Sequence, residues 1–302
     1  MVHVKAMADI RRLTIHDGPG TRDTVFLKGC PLHCLWCHNP ECISLRPQLL
    51  FHQRLCVQCG ACAKACSQSV HQFVDGKHVV DFGHCQVCGR CSKVCLTGAL
   101  AEYGVPVTPD EIACEVLKEK EFYQQSGGGV TLSGGEPLLH PGFVCEVFQA
   151  LRKAGIHTAL DTCGHVPYHA FQLVLPFTDL ILYDIKGMNP ERHRRNTGQD
   201  NALILDNLSR LGKGPVPIEI RMPIIPGHND FPEEIQAAGQ FLSTLPAVCA
   251  IRPLPYHSLA HDKYKMCGME DRLPDCEPPT PANLADIAER LNILSGKPVL
   301  LY

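Results

Sequence analysis

Eighteen cysteines in a chain of 302 residues constrain its fold more than any other feature of the sequence. Cys30, Cys34 and Cys37 form a C-x3-C-x2-C run, with no fourth cysteine at a matching spacing. Clusters that only transfer electrons normally take four cysteine ligands. Three thiolates can therefore bind three irons of a [4Fe–4S] cube and leave the fourth open, and an open metal position is typical of catalytic sites. We predict that these three cysteines hold a catalytic cluster.

Two further cysteine runs share the spacing C-x2-C-x2-C-x3-C. They comprise Cys56, Cys59, Cys62 and Cys66, then Cys85, Cys88, Cys91 and Cys95. The spacing resembles that of two-cluster bacterial ferredoxins, in which the fourth cysteine of each run binds the other cluster. We therefore assign Cys95 to the first cluster and Cys66 to the second. A pair of zinc sites is the alternative, but zinc prefers C-x2-C pairs at a longer separation.

Composition limits the compartment and the class of partner. The formal net charge of −3 argues against binding to nucleic acid or to an anionic membrane. No apolar run approaches the roughly 18 residues of a membrane span, and the N-terminus lacks a signal-peptide pattern. We therefore expect a cytoplasmic protein whose closely spaced cysteines bind metal rather than form disulfides. Thiolate-bound iron further predicts an anaerobic, reducing setting.

Strand and helix patterns alternate along most of the chain, which predicts an α/β fold with a parallel sheet. Six apolar runs are predicted strands: Thr24–Gly29, Val130–Ser133, His157–Asp161, Asp179–Asp184, Pro217–Met222 and Cys249–Leu254. Helices are predicted after the capping box at Thr108, around Phe143–Leu151, and over Asn201–Leu211, Glu233–Leu245 and Pro281–Leu294. Six units are fewer than the eight of a closed barrel, so we expect an open partial (β/α)6 barrel.

One segment interrupts this alternation. Residues 47–103 carry eight cysteines and little helical periodicity. We predict that they form a small inserted ferredoxin-like domain with two [4Fe–4S] clusters, while residues 1–46 and 104–302 form the barrel. Clusters of this kind pass single electrons, so a relay to or around the catalytic cluster is the hypothesis for their role.

Six short motifs occur in a fixed order along the chain. They are His16–Gly20, Cys30–Cys37, Ser133–Pro137, Asp161–Gly164, Tyr183–Lys186 and Pro255–His257. Together they resemble the activating enzymes of glycyl radical enzymes, a group of radical S-adenosylmethionine (SAM) enzymes that includes the pyruvate formate-lyase activating enzyme. The resemblance covers nearly the whole chain, and the inserted segment matches the longer members of the group.

The resemblance implies a SAM site around the cluster. Trp36 offers a flat apolar surface for an adenine ring, next to Cys37 and His38. Gly134 and Gly135 let the backbone approach a ligand that a side chain would block. Further SAM contacts are expected from Glu136 to the amino group, Arg221 to the carboxylate, and from Asp184, Ile185, Lys186 and His257. Asp161 is expected to contact SAM or to hold a cation nearby.

The resemblance also implies an activity. Reductive cleavage of SAM at the cluster would yield a 5′-deoxyadenosyl radical, which takes a hydrogen atom from a glycine of a partner glycyl radical enzyme. The electron would come from a reductant such as flavodoxin or ferredoxin. Two alternatives stay open: a radical SAM enzyme that acts on a small molecule, and a non-catalytic electron-transfer protein with three clusters.

Overall fold

The computed structural model describes residues 4–301, without the side chains of residues 4–6, so the predicted limits at residues 1 and 302 lie outside the described residues. The strands are β1 (Val4–Thr14), β2 (Arg22–Leu27), β3 (Gln48–Phe51), β4 (His71–Val74), β5 (Lys77–Val80), β6 (Leu100–Tyr103), β7 (Val105–Val107), β8 (Gly129–Gly134), β9 (His157–Thr162), β10 (Leu180–Asp184), β11 (Ile218–Ile224) and β12 (Val248–Pro255).

The same residues also form the α-helices of the fold. They are α1 (Ala61–Ala65), α2 (Arg90–Val94), α3 (Pro109–Val116), α4 (Lys120–Ser126), α5 (Pro141–Lys153), α6 (Tyr168–Val174), α7 (Pro190–Thr197), α8 (Ala202–Leu211), α9 (Pro232–Ser243), α10 (His261–Met266) and α11 (Pro281–Ser295). None of these helices is long and apolar enough to cross a lipid bilayer.

An eight-stranded sheet forms the centre of the fold, in the order β12-β11-β10-β9-β8-β2-β1-β7. The six predicted strands are confirmed as β2 and β8–β12, and neighbours among them pair in parallel. β1 and β7 extend the sheet beyond β2 by antiparallel pairing and were not among the predicted strands. The sheet is thus mostly parallel, and it ends in two edges at β12 and β7.

Helices α3, α5, α6, α8 and α9 bury apolar faces against this sheet. The side chains of Leu132 and Ile181 on the strands are fully buried, and so are those of Phe148 and Leu242 on the helices. The predicted capping box at Thr108 is confirmed, because its hydroxyl accepts from the Glu111 amide and the Glu111 carboxylate accepts from the Thr108 amide. The strand–helix alternation of the sequence therefore corresponds to one layered core.

Residues 48–103 depart from this layering. β3 pairs with β6, and β4 pairs with β5, in two small antiparallel sheets that flank the five-residue helices α1 and α2. A separate apolar cluster holds them together, with Leu49, Phe51, Val80 and Leu100 as buried members beside several cysteines. Two of the seven buried members of this cluster are cysteines, Cys62 and Cys91.

Candidate active site

The carboxyl ends of the parallel strands surround a cavity of about 220 Å³. The loop that follows β2 contributes Cys30, Cys34 and Cys37 to its wall. Because the strands run parallel, the residues that end each strand meet at the same edge of the sheet. This edge therefore brings together side chains that lie far apart in the sequence.

The cavity gathers most of the predicted site residues. Its walls include Trp36, His38, Gly134, Gly135, Asp161, Asp184, Lys186 and Arg221. Trp36 is only 6% exposed and packs with Ile225 and Tyr256. The indole therefore forms a rigid apolar wall next to the three cysteines.

Three predicted residues do not line this cavity: Glu136, Ile185 and His257. The carboxylate of Glu136 is fully buried and accepts hydrogen bonds from the Thr162 hydroxyl and from the backbone amides of Cys163 and Leu138. Burial raises the pKa of Glu136, and these donors oppose that shift. Ile185 is 2% exposed and packs in the main core. The Glu136 carboxylate ties the end of β8 to the end of β9, and its contact with the SAM amino group stays a prediction.

The two glycines line the cavity, and they also allow a close approach within the chain itself. A Cβ atom on Gly134 would lie 2.2 Å from the backbone nitrogen and oxygen of Leu27. A Cβ atom on Gly135 would lie 2.1 Å from the carbonyl oxygen of Gly29 and 2.6 Å from that of Cys42. The missing side chains thus make room for the chain's own backbone, which brings the loop after β8 against the cysteine loop.

Asp184 and Lys186 face the cavity as an ion pair. The Lys186 Nζ atom lies 2.6 Å from Oδ2 of Asp184, and the two side chains are 11% and 21% exposed. Burial alone would lower the pKa of Lys186, but the Asp184 carboxylate and the Cys34 sulfur raise it above its ordinary value. The ammonium group is therefore charged at neutral pH and is poised to bind an anionic group.

Arg221 joins two carboxylates across the cavity. Its Nη1 atom lies 3.3 Å from Oδ1 of Asp17 and 3.7 Å from Oδ1 of Asp161. Oδ2 of Asp161 also accepts a hydrogen bond of 2.5 Å from the Ser133 hydroxyl. Burial raises the pKa of Asp161, although Arg221 partly offsets the shift. The His16–Gly20 motif thereby reaches the site through Asp17.

The cysteine thiols of the cavity differ in acidity. Burial raises the pKa of Cys34 to about 12 and that of Cys37 well above its ordinary value. A hydrogen bond between the side chains of Cys30 and Cys163 lowers the pKa of Cys30. Cys163 also lines the cavity and was not among the predicted site residues, although its position directly after β9 at the same sheet edge could have indicated it.

An outer cavity of about 560 Å³ adjoins the inner one, and the two share the lining residues His38, Asp161 and Arg221. The predicted residue His257 lies here, and its exposed ring stacks on His38 at 4.1 Å between centroids. Lys263 on α10 donates from Nζ to the carbonyl of His38. The outer cavity is thus a polar, partly basic vestibule.

The other predicted metal ligands gather in two cavities of residues 48–103. One is lined by Cys56, Cys59, Cys62 and Cys95, and the other by Cys66, Cys85, Cys88 and Cys91. The two sets are crossed, because the last cysteine of each run stands with the other three.

Backbone conformation repeats between the two runs. Gly60 and Gly89 are the N-cap residues that directly precede α1 and α2, and each has a φ of 74°. Gln58 and Val87 stand at matching positions and have φ of 56° and 49°. A left-handed backbone is uncommon for residues other than glycine and is strained for a β-branched one, so its recurrence points to a functional constraint.

Comparison with known proteins identifies a family for this chain. A sequence model of the radical SAM superfamily matches residues 82–242, just over half of the chain. The isethionate sulfite-lyase activating enzyme of Oleidesulfovibrio alaskensis is 37% identical over 263 residues, which cover 85% of this chain and 84% of that protein. The (2S)-3-sulfopropanediol dehydratase activating enzyme of Klebsiella oxytoca is 40% identical over 268 residues, with 86% and 84% coverage.

A solved structure is also similar. A domain of the pyruvate-formate lyase-activating enzyme from Bacteroides vulgatus superimposes with a TM-score of 0.50 at 31% identity. The match covers 58% of this chain and 99% of that domain.

Proposed function

Because the chain belongs to the radical SAM superfamily, we propose that it activates a glycyl radical enzyme by removing a hydrogen atom from a glycine of that partner. The relatives described above are themselves named activating enzymes, and they align with most of this chain. One observation carries the proposal: the Cys30–Cys37 loop meets the polar ends of four strands in a cavity that adjoins an outer vestibule.

The donor set of the inner cavity suits a SAM-binding [4Fe–4S] cluster. Cys30, Cys34 and Cys37 offer the soft thiolate ligands that such clusters require, and Cys163 is engaged as a hydrogen-bond partner of Cys30. When bound, the cluster and SAM supply the one-electron chemistry that generates a 5′-deoxyadenosyl radical.

The surrounding side chains bind and orient SAM in this proposal. Trp36 packs against the adenine, and Lys186 and Arg221 offer cations to the carboxylate of the methionine part. Asp184 and Asp161 offer acceptors to its amino group and to the ribose hydroxyls. The low exposure of these groups keeps water away from the reacting atoms and strengthens each charge interaction.

We further propose that residues 47–103 form an inserted ferredoxin-like domain. Residues 1–46 and 104–302 would form the open partial (β/α)6 barrel into which it is inserted. The inserted domain would hold two auxiliary [4Fe–4S] clusters, one on each crossed set of four cysteines. The repeated left-handed backbone supports cluster binding, since it lets a short loop wrap around a cube. These clusters would relay single electrons from a reductant such as flavodoxin or ferredoxin.

The partner is a protein whose glycine loop must enter the vestibule. His38 and His257 line this vestibule and offer ring nitrogens to the backbone of such a loop, while Lys263 donates to His38, Asn39 and Glu41 of the chain itself. Relatives are named as activating enzymes of an isethionate sulfite-lyase, a (2S)-3-sulfopropanediol dehydratase, a choline trimethylamine-lyase and an indoleacetate decarboxylase. Candidate partners therefore include dehydratases, lyases of C–N or C–S bonds, and decarboxylases. A cytoplasmic, anaerobic setting without nucleic acid or membrane completes the proposal.

The proposal is tested by incubating the anaerobically reconstituted protein with SAM, a reductant and candidate partner enzymes. We expect 5′-deoxyadenosine in the solution and a glycine-centred doublet in the EPR spectrum of one partner. Cys37→Ala should abolish both signals, because it removes a cluster ligand. Cys114→Ala, at an exposed cysteine of α3, is the matched control and should preserve them.

Other results would contradict the proposal in distinct ways. Deoxyadenosine with a modified metabolite and no protein radical would indicate a small-molecule substrate. A cluster whose EPR signal does not respond to SAM would indicate a protein that only transfers electrons.

A further inference from the structure

A pair of buried histidines lies beside the first of the two crossed cysteine sets. The ring of His78 is 6% exposed and that of His71 is 5% exposed. The His78 ring contacts those of Phe51 and Phe73, with centroids 4.4 and 4.8 Å apart. Both aromatic residues and His78 line the cavity that contains Cys56, so the imidazole meets the cysteines within an apolar wall.

Hydrogen-bond distances connect the histidines to the cysteines. Nδ1 of His78 lies 3.4 Å from the sulfur of Cys56, and Nε2 lies 3.1 Å from Nδ1 of His71. Nε2 of His78 is also 3.8 Å from the sulfur of Cys62. His78 therefore reaches two of the four cysteines of its set.

The chemistry of a ligated thiolate decides which ring nitrogen carries the proton. An iron-bound thiolate can only accept a hydrogen bond, so the Nδ1 atom of His78 must carry the hydrogen that faces Cys56. A neutral imidazole has one such hydrogen, and Nε2 of His78 must then accept from Nδ1–H of His71. The two rings thus form a directed chain that ends on the cysteine sulfur.

We infer that His78 donates a hydrogen bond to the Cys56 ligand of the first auxiliary cluster and so raises the reduction potential of that cluster. The inference rests on the auxiliary clusters of the proposed function. When one electron enters a cluster and no proton moves, the sulfurs become more negative, so a donor stabilises the reduced form. His71 acts as a positioning residue, because it holds His78 in the tautomer that donates.

The second cysteine set is not equivalent. Its side-chain donor is Arg90, whose Nε atom lies 3.4 Å from the sulfur of Cys88. Arg90 and Cys88 are both exposed, so water and salt weaken this interaction, whereas the His78 bond is shielded. The β4–β5 hairpin that carries both histidines lies between the two cysteine runs and has no counterpart after the second run. The inference therefore predicts that removal of His78 moves the potential of one cluster only.

The test is an EPR-monitored redox titration of the full, anaerobically reconstituted protein with dithionite. At a fixed applied potential, His78→Phe should lower the reduced-to-oxidised ratio of one cluster about tenfold, which corresponds to about 59 mV for one electron. His78→Asn keeps an N–H near the Nδ1 position and should restore most of the wild-type ratio. His84→Phe removes an exposed histidine of the same segment and should leave that cluster unchanged.

Each further outcome has one meaning. Unchanged reduction of all clusters in His78→Phe, with about 12 irons per chain, would overturn the inference and leave the proposed function intact. About 4 irons in the wild type would overturn the auxiliary clusters and the inference together. A stoichiometric zinc ion that His78→Phe removes would also overturn it, since Cys62, His71 and His78 are close enough to share one ion. If His78→Phe does not load iron, His71→Phe replaces it and should shift the same cluster in the same direction.

Discussion

Replacement of Gly135 by alanine tests whether close backbone approach positions the cysteine loop. The added Cβ would lie 2.1 Å from the carbonyl oxygen of Gly29, whereas real contacts of this kind are at least 3.0 Å. The two backbones must separate by about 0.9 Å, and neither can rotate away as a side chain could. Overpacking of this kind costs about 1–3 kcal/mol of folding free energy. Because Gly29 directly precedes Cys30, the cluster ligand is displaced as well.

We expect Gly135→Ala to lower the anaerobic melting temperature of the loaded protein and to weaken SAM cleavage by about 100-fold, the loss that a displacement of about 1 Å can cause. Circular dichroism measures the first quantity and deoxyadenosine production the second. Gly142→Ala is the control, since nothing lies within 4 Å of the Cβ it adds at the start of α5. Equal melting temperatures and equal cleavage rates for the two variants would refute the reasoning.

Three further predictions concern charge. Lys186→Met should weaken SAM binding about tenfold or more in equilibrium dialysis with unchanged iron content, because it leaves Asp184 without its cation. Iron loading should improve from pH 7 to pH 8.5, because burial raises the pKa of Cys37 and ligation requires its thiolate. Iron analysis after reconstitution at the two pH values measures the effect. In iron-free protein, iodoacetamide should modify Cys88 rapidly, because a hydrogen bond from Arg90 lowers the pKa of the Cys88 thiol. Mass spectrometry should show slower modification of Cys88 in Arg90→Gln.

The parallel strands and the helix cap could be predicted from the sequence because each depends on residues that are close together along the chain. The parallel strands β2, β8, β10 and β11 are buried on both faces along nearly their whole length, and the capping box at Thr108 satisfies its own helix end. β1 was missed although its alternation of apolar and polar residues, as in Ala8-Asp9-Ile10-Arg11, is typical of a half-buried strand. β7 has three residues and follows a cysteine-rich segment, so it has no periodic signal of its own.

Side-chain direction could not be read in the same way. Glu136 stands in a motif that adjoins the cavity, yet its carboxylate bonds to Thr162 and Cys163 because the end of β9 presents donors on that side. His78 carries no motif, and it reaches Cys56 only because a hairpin folds between the two cysteine runs. Contacts of this type depend on tertiary placement, which a spacing pattern does not encode.

The charges of the inner cavity explain how a zwitterionic ligand can enter a largely buried site. Lys186 pairs with Asp184, and Arg221 pairs with Asp17 and Asp161. Each buried cation therefore has a carboxylate partner. An unpaired buried charge would cost several kcal/mol, and these pairs avoid that cost before SAM binds. An incoming amino group and carboxylate can exchange partners with the existing ion pairs and keep every charge compensated. We therefore expect the pairing, rather than any single charge, to set the affinity for SAM, and loss of Arg221, which pairs with two carboxylates, to be more damaging than loss of Asp17 or Asp161 alone.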